Sequence, residues 1–150
     1  MNWNFLGTNW HLFGDLAALA FLALLVSATG VFFHIRRLRG RSPLPISEGV
    51  GARKAVLTKV RKGEPLSPQE HEFAGRVIAD HRSPLAFCIP VAIFSLGCFY
   101  VLGSLEQLHG LTPSERTFIG VIPMFGSLNV TAQTLRIAKL KRRLPVSVTQ

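Results

Sequence analysis

Apolar positions in this chain do not alternate with polar ones as they do in a soluble core. They gather in three long blocks separated by polar, basic stretches. The first, "LFGDLAALAFLALLVSATGVFFHI", covers residues 12–35 and carries no charge from Leu16 to Phe33. At 1.5 Å per residue its 24 positions reach about 36 Å, enough to cross a hydrocarbon layer of about 30 Å with some tilt. The second, "PLAFCIPVAIFSLGCFYVLGSL", covers 84–105 and carries no charge at all. Ser83 fits its N-cap, Pro84 its first turn, and Pro90 predicts a slight kink. The third, 117–138, contains Pro123, Asn129, Gln133 and Arg136, yet Phe118 to Leu135 holds no ionisable group. The pattern predicts an all-α integral membrane protein with three transmembrane helices.

The intervening segments are also readable. Residues 36–83 are too many for a turn. "RGRSPLPISEGVG" reads as a linker. "ARKAVLTKVRK", Ala52 to Lys62, has helical spacing with Val56, Leu57 and Val60 on one face, and Gly63 and Pro65 stop it. "LSPQEHEFAGRVIADHR" opens with Ser67, Pro68 and Glu70 in the order of a capping box, and Phe73, Val77 and Ile78 form its apolar face. Together these predict a helical hairpin. The remaining pieces are an interfacial segment at 1–11, a loop at 106–116 and a basic tail at 139–150.

Charge decides the orientation. Between Arg36 and Arg82 lie eleven basic residues, and from Arg136 onward five more; residues 1–35 hold none, and the loop between the second and third blocks holds only Arg116. Sixteen of the 17 cations therefore fall on one side if there are three spans. Positive residues flanking spans stay on the cytoplasmic side. The expectation is an N-terminus outside, a C-terminus inside and a cytoplasmic hairpin, in a bacterial inner membrane. The N-terminal stretch has no basic residue and its apolar run is longer than 7–15 residues, so it is expected to be an anchor and not a cleaved leader. Trp3, Phe5, Trp10 and Phe13 suit a membrane–water interface.

The whole-chain net charge is +9, hydrophobic residues make up 48% and charged residues 17%, the last below the usual quarter of soluble domains. Arg36, Arg37, Arg39, Arg41, Arg53, Lys54, Lys59, Arg61 and Lys62 are expected to contact anionic lipid headgroups, with the first hairpin arm lying apolar face down. Nucleic acid is not the expected partner, because no recognition motif or interleaved aromatics accompany the basic face. Helices in lipid associate through close approach at small residues. Stripes of these are Ala20, Ala23, Ser27 and Gly30 in the first block; Pro90, Gly97 and Ser104 in the second; and Gly120, Pro123, Ser127, Thr131 and Thr134 in the third. A second face of the third block collects Gly126, Asn129, Gln133 and Arg136 and suits a neighbouring subunit or a second copy.

Candidate chemistry is sparse. Cys88 and Cys98, about 15 Å apart along a helix, are beyond the about 7 Å a disulfide allows and read as small apolar residues. No metal, phosphate-loop or hydrolase motif occurs. His11 and His109 are both expected at the outer edge and His34 at the inner edge, so no pair sits at mid-span to hold a haem. Asp15 reads as an anion in the first turn of its helix, within reach of His11. No cofactor and no catalysis are expected. The expected role is an accessory or scaffold subunit of a membrane assembly. Three spans with an outside N-terminus and a basic inside tail also resemble, in topology, one class of phage holins, which implies self-assembly and membrane permeabilisation; the long first cytoplasmic loop departs from that class. A haem- or quinone-binding anchor of a respiratory enzyme is the third reading.

Overall fold

The computed structural model describes residues 11–108 and 115–144, leaving aside the side chains at 11, 47, 48 and 116. Described residues form six α-helices: α1 (His11–Arg39), α2 (Ala52–Lys62), α3 (Pro68–Arg82), α4 (Pro84–Gln107), α5 (Glu115–Ile119) and α6 (Val121–Lys139). Short 3-10 turns occupy Pro45–Glu48 and Leu140–Arg143, and the described residues include no strand. Three segments, Leu12–Arg39, Pro84–Gln107 and Thr117–Arg143, are long and apolar enough to cross a membrane.

Prolines set two of the boundaries. Pro84 disfavours the helical region for Ser83, which is extended (φ −65°, ψ 134°) and separates α3 from α4. Pro123 has no N–H to give the carbonyl of residue 119, and its ring crowds that carbonyl. The third apolar segment is accordingly broken at Gly120 into α5 and α6, an interruption the hydrophobic pattern did not announce. Pro90 stays within a continuous α4. α1 runs four residues past the apolar block, so Arg36, Arg37 and Arg39 form its last turn, where cations complement the helix dipole.

The chain divides into two compact units, Met1–Phe32 with Cys88–Thr131 and Phe33–Phe87 with Ala132–Gln150. In the first, large apolar side chains face outward: Leu19, Val26, Ile122 and Phe125 are between 60% and 74% exposed. What is buried is small: Ala17, Ser27, Ser95, Gly97, Thr117, Gly120 and Ser127. The helices meet where a side chain is missing. A methyl on Gly97 would lie 2.6 Å from the Gly120 carbonyl oxygen, and one on Gly30 would lie 2.5 Å from Cys88 Sγ. Hydroxyls in this interior are satisfied locally: Ser27 Oγ donates to the Ala23 carbonyl (2.7 Å) and Ser127 Oγ to that of Met124 (2.6 Å). Ser104 and Thr117 share a hydroxyl hydrogen bond of 2.8 Å between α4 and α5. Phe21 and Phe99 pack tilted, with ring centroids 5.4 Å apart.

The second unit has an ordinary hydrophobic core. Val56 and Val60 of α2 pack with Ala74 of α3, all at most 2% exposed, and Ile46, Leu66, Phe73, Leu140 and Leu144 close around them. Gly63 (φ 74°) ends α2 in the left-handed conformation and returns its N–H to the Lys59 and Val60 carbonyls. Ser67 accepts from the Glu70 N–H while Glu70 Oε2 accepts from the Ser67 N–H, a complete capping box at the start of α3. Val56 and Val60, expected to face the headgroups, are instead taken up by this core. The stretch read as a linker also contributes Ile46 to the core.

The α4–α6 contact gives a direct test. Gly97→Ala is expected to cost about 1–3 kcal/mol, because its methyl meets backbone that cannot yield as a side chain would. Gly126→Ala, with nothing within 4 Å, is expected to stay within about 0.5 kcal/mol of the parent. Thermal unfolding in detergent compares them; equal melting temperatures would mean the two helices do not meet at Gly97.

Candidate functional site

Two surfaces carry the sequence-predicted residues. On α6, Gly120, Ser127 and Thr134 are buried, whereas Gly126, Asn129, Gln133 and Arg136 are exposed. These four recur at three- and four-residue spacing and so share one face of the helix. On α1, Ser27 is buried and Ala20 and Gly30 are half-buried, but Ala23 is exposed. The stripe turned inward runs through Ala17, Ala20, Leu24, Ser27, Val31 and His34 instead. Leu24 takes the inward place at that level of the helix, beside the exposed Ala23. On α4, Gly97 and Pro90 are buried and Ser104 is half-buried.

Glu106 was not singled out by the sequence, yet its Oε2 accepts the Gly14 N–H at 2.9 Å, setting a carboxylate at the first turn of α1. The signal for it was present: Glu106 closes a 22-residue uncharged block. Asp15 lies one turn further into α1 than expected and is exposed. His34 is 6% exposed, with no hydrogen-bond partner at Nδ1. The His11 side chain and His109 lie outside the described residues, as do residues 1–10 and 145–150. Among the described residues no three His, Cys, Asp or Glu side chains gather where a metal ion could be held.

The second surface is basic. Arg41 pairs with Asp80 (2.6 Å), Lys59 with Glu70 (2.7 Å), Lys62 with Glu64 (3.5 Å) and Arg76 with Glu72 (2.7 Å). Among the described side chains, Glu64, Glu70, Glu72 and Asp80 are thereby engaged by cations outside one particular groove. That groove, about 940 Å³, is lined by α2, the end of α6 and the following 3-10 turn. It gathers Arg53, Lys54 and Arg61 with Arg136, Lys139 and Arg143, and no acid lines it. The first three were expected at a membrane surface; Lys139 and Arg143 were read as tail charges, and Arg136 also as part of the polar face of the third block. Their helical spacing with Gln133 was the available signal. Arg36, Arg37 and Arg39 are exposed on α1 and do not line the groove.

Two of the groove's arginines are held in place. Arg53 Nη2 lies 2.8 Å from His81 Nε2, and His81 Nδ1 lies 2.8 Å from the Val77 carbonyl oxygen. A guanidinium only donates, so Nε2 accepts and Nδ1 carries the proton to Val77. Arg143 Nη1 donates to the Arg61 carbonyl at 2.9 Å, at the C-terminal turn of α2.

No protein family, curated protein or solved structure matches the chain.

The Lys59 ammonium, then the Ser67 N–H, hold the Glu70 carboxyl below its ordinary pKa. The folded state therefore binds this proton less tightly than the unfolded chain. Its contribution is complete above the unfolded-state value and is lost as pH falls through the folded one. Acid titration of helicity is expected to show a loss of stability below the ordinary carboxylate range that Glu70→Gln reduces; an unchanged profile in that variant would rule out the Lys59–Glu70 pair as its source.

Proposed function

We propose that this chain is a non-catalytic, multi-pass subunit of a bacterial inner membrane, with its N-terminus outside and its C-terminus inside, serving as an accessory or scaffold component of a larger assembly. The observation that carries this reading is the exposed face of Gly126, Asn129, Gln133 and Arg136 on a helix apolar enough to cross a membrane. Small and amide side chains are the means by which membrane helices associate, whereas lipid rewards neither. On the other side of the same helix Gly120, Ser127 and Thr134 are buried within the chain. The partition of sixteen of 17 cations supports the orientation, and the packed α2–α3 unit supplies a folded body attached to the spans.

A photo-crosslinking residue placed at 126 or 129 is expected to give a discrete protein adduct in native membranes, and one at Val26 only lipid adducts. Lipid adducts alone from all three positions would remove the assembly reading. Overexpression separates it from the holin-like one: unaffected growth is expected, and an abrupt collapse of membrane potential would favour permeabilisation instead. For orientation, cysteines introduced at residues 69 and 142 are expected to resist an impermeant maleimide in intact cells and to label once the membrane is opened; labelling in intact cells would reverse the orientation.

A further inference from the structure

We propose that the groove between α2 and the end of α6 is a binding site for the headgroup of an anionic phospholipid carrying two phosphates. The inference rests on the membrane reading above and adds to it a ligand and a place.

Charge balance leads to it. Arg53, Lys54, Arg61, Arg136, Lys139 and Arg143 surround one cavity, and among the described residues none of them is in an ion pair. Clustered like charges repel, and this cluster persists beside four acids that are each engaged elsewhere. A bound polyanion is the natural complement. Six cations exceed what a single phosphodiester neutralises, and about 940 Å³ is far more room than one phosphate fills.

Preorganisation follows. Arg53 is held by the His81 imidazole and Arg143 by the Arg61 carbonyl, so both guanidinium groups are placed before any ligand arrives and, among the described residues, neither is in an ion pair. Guanidinium forks suit phosphate oxygens in bidentate fashion. The remaining wall is apolar, with Leu57, Ile137 and Leu140, a surface for glycerol and the first acyl carbons. Depth agrees as well. Arg136 follows immediately on an 18-residue stretch without an ionisable group, so the cluster begins where the third span would leave hydrocarbon for headgroups. A nucleic-acid backbone would share the phosphate chemistry, but no aromatic side chain lines the groove to stack a base.

The test uses the full chain in phosphatidylcholine nanodiscs doped with tetraoleoyl cardiolipin, with bound lipid read by native mass spectrometry. The parent protein is expected to retain cardiolipin selectively. Lys54→Gln/Arg136→Gln/Lys139→Gln is expected to lower its retention about tenfold relative to Arg36→Gln/Arg37→Gln/Arg39→Gln, which removes equal charge outside the groove. Equal losses in the two triple variants would reduce the effect to a diffuse field and overturn the site. Displacement of the lipid by inorganic phosphate at matched phosphate concentration would overturn the lipid assignment. Circular dichroism checks folding, and if the groove triple loses helicity, Arg136→Gln alone is read in the same titration, expected to fall below Arg37→Gln and overturning the site if it does not. A chain that fails to enter nanodiscs at all sinks the membrane reading; a chain that enters them without lipid selectivity sinks only this site.

Discussion

Everything in the first unit depends on which way the apolar side chains point. Only 11%, 22% and 17% of the three apolar windows are buried within the chain. A helix surrounded by hydrocarbon gains nothing by turning its leucines inward, because lipid tails are as apolar as the side chains themselves. What remains to hold the helices is dispersion at short range, which requires backbones to come close, and that requires positions without side chains. Gly97 against Gly120 and Gly30 against Cys88 are such positions. The buried serines and threonines fit the same logic. The Ser27 and Ser127 hydroxyls each bond a carbonyl of their own helix, and Thr117 bonds the Ser104 hydroxyl, so these groups occupy little space and are satisfied.

The second unit obeys the opposite rule. Its largest fully buried side chains are the apolar Ile78, Val56 and Val60, although His34 and Thr134 are buried in it as well. One short chain thus contains two solvents' worth of packing, and the changeover falls within continuous helices, after Phe32 in α1 and after Thr131 in α6. The consequence for function is that α6 serves both: its first part offers Gly120 and Ser127 to close packing, while Leu140 and Leu144 just beyond it enter the α2–α3 core.

Much of this was legible in the sequence where a local rule governs. Uninterrupted apolar length marks the spans, and Ser67 with Glu70 marks the start of α3, because capping needs only residues three apart. Helix α2 ends at Gly63 for the same reason. Illegible features were those set by tertiary partners. Nothing local says that Leu24 and not Ala23 turns inward, that Val56 and Val60 meet Ala74 instead of a headgroup layer, or that Glu106 reaches a residue 92 positions earlier in the chain. The break at Gly120 lies between: Pro123 was visible, but whether a proline kinks or interrupts depends on what can satisfy the freed carbonyl, and Pro90 within continuous α4 shows the other outcome.

The basic groove illustrates how a composition becomes a site. Counted along the chain, Arg53, Lys54 and Arg61 are hairpin charges and Arg136, Lys139 and Arg143 are tail charges, two unremarkable groups more than seventy residues apart. The core assembles them: Leu140 packing against Val56 and Val60 draws the tail cations to the side of α2. Mutual repulsion opposes that approach, while burial of the leucine favours it. Among the described side chains, Asp80, Glu70, Glu64 and Glu72 are engaged with Arg41, Lys59, Lys62 and Arg76 instead. Six cations brought to one groove with no acid in its lining are what burial of Leu140 leaves behind, and the proposed anionic ligand would offset their repulsion.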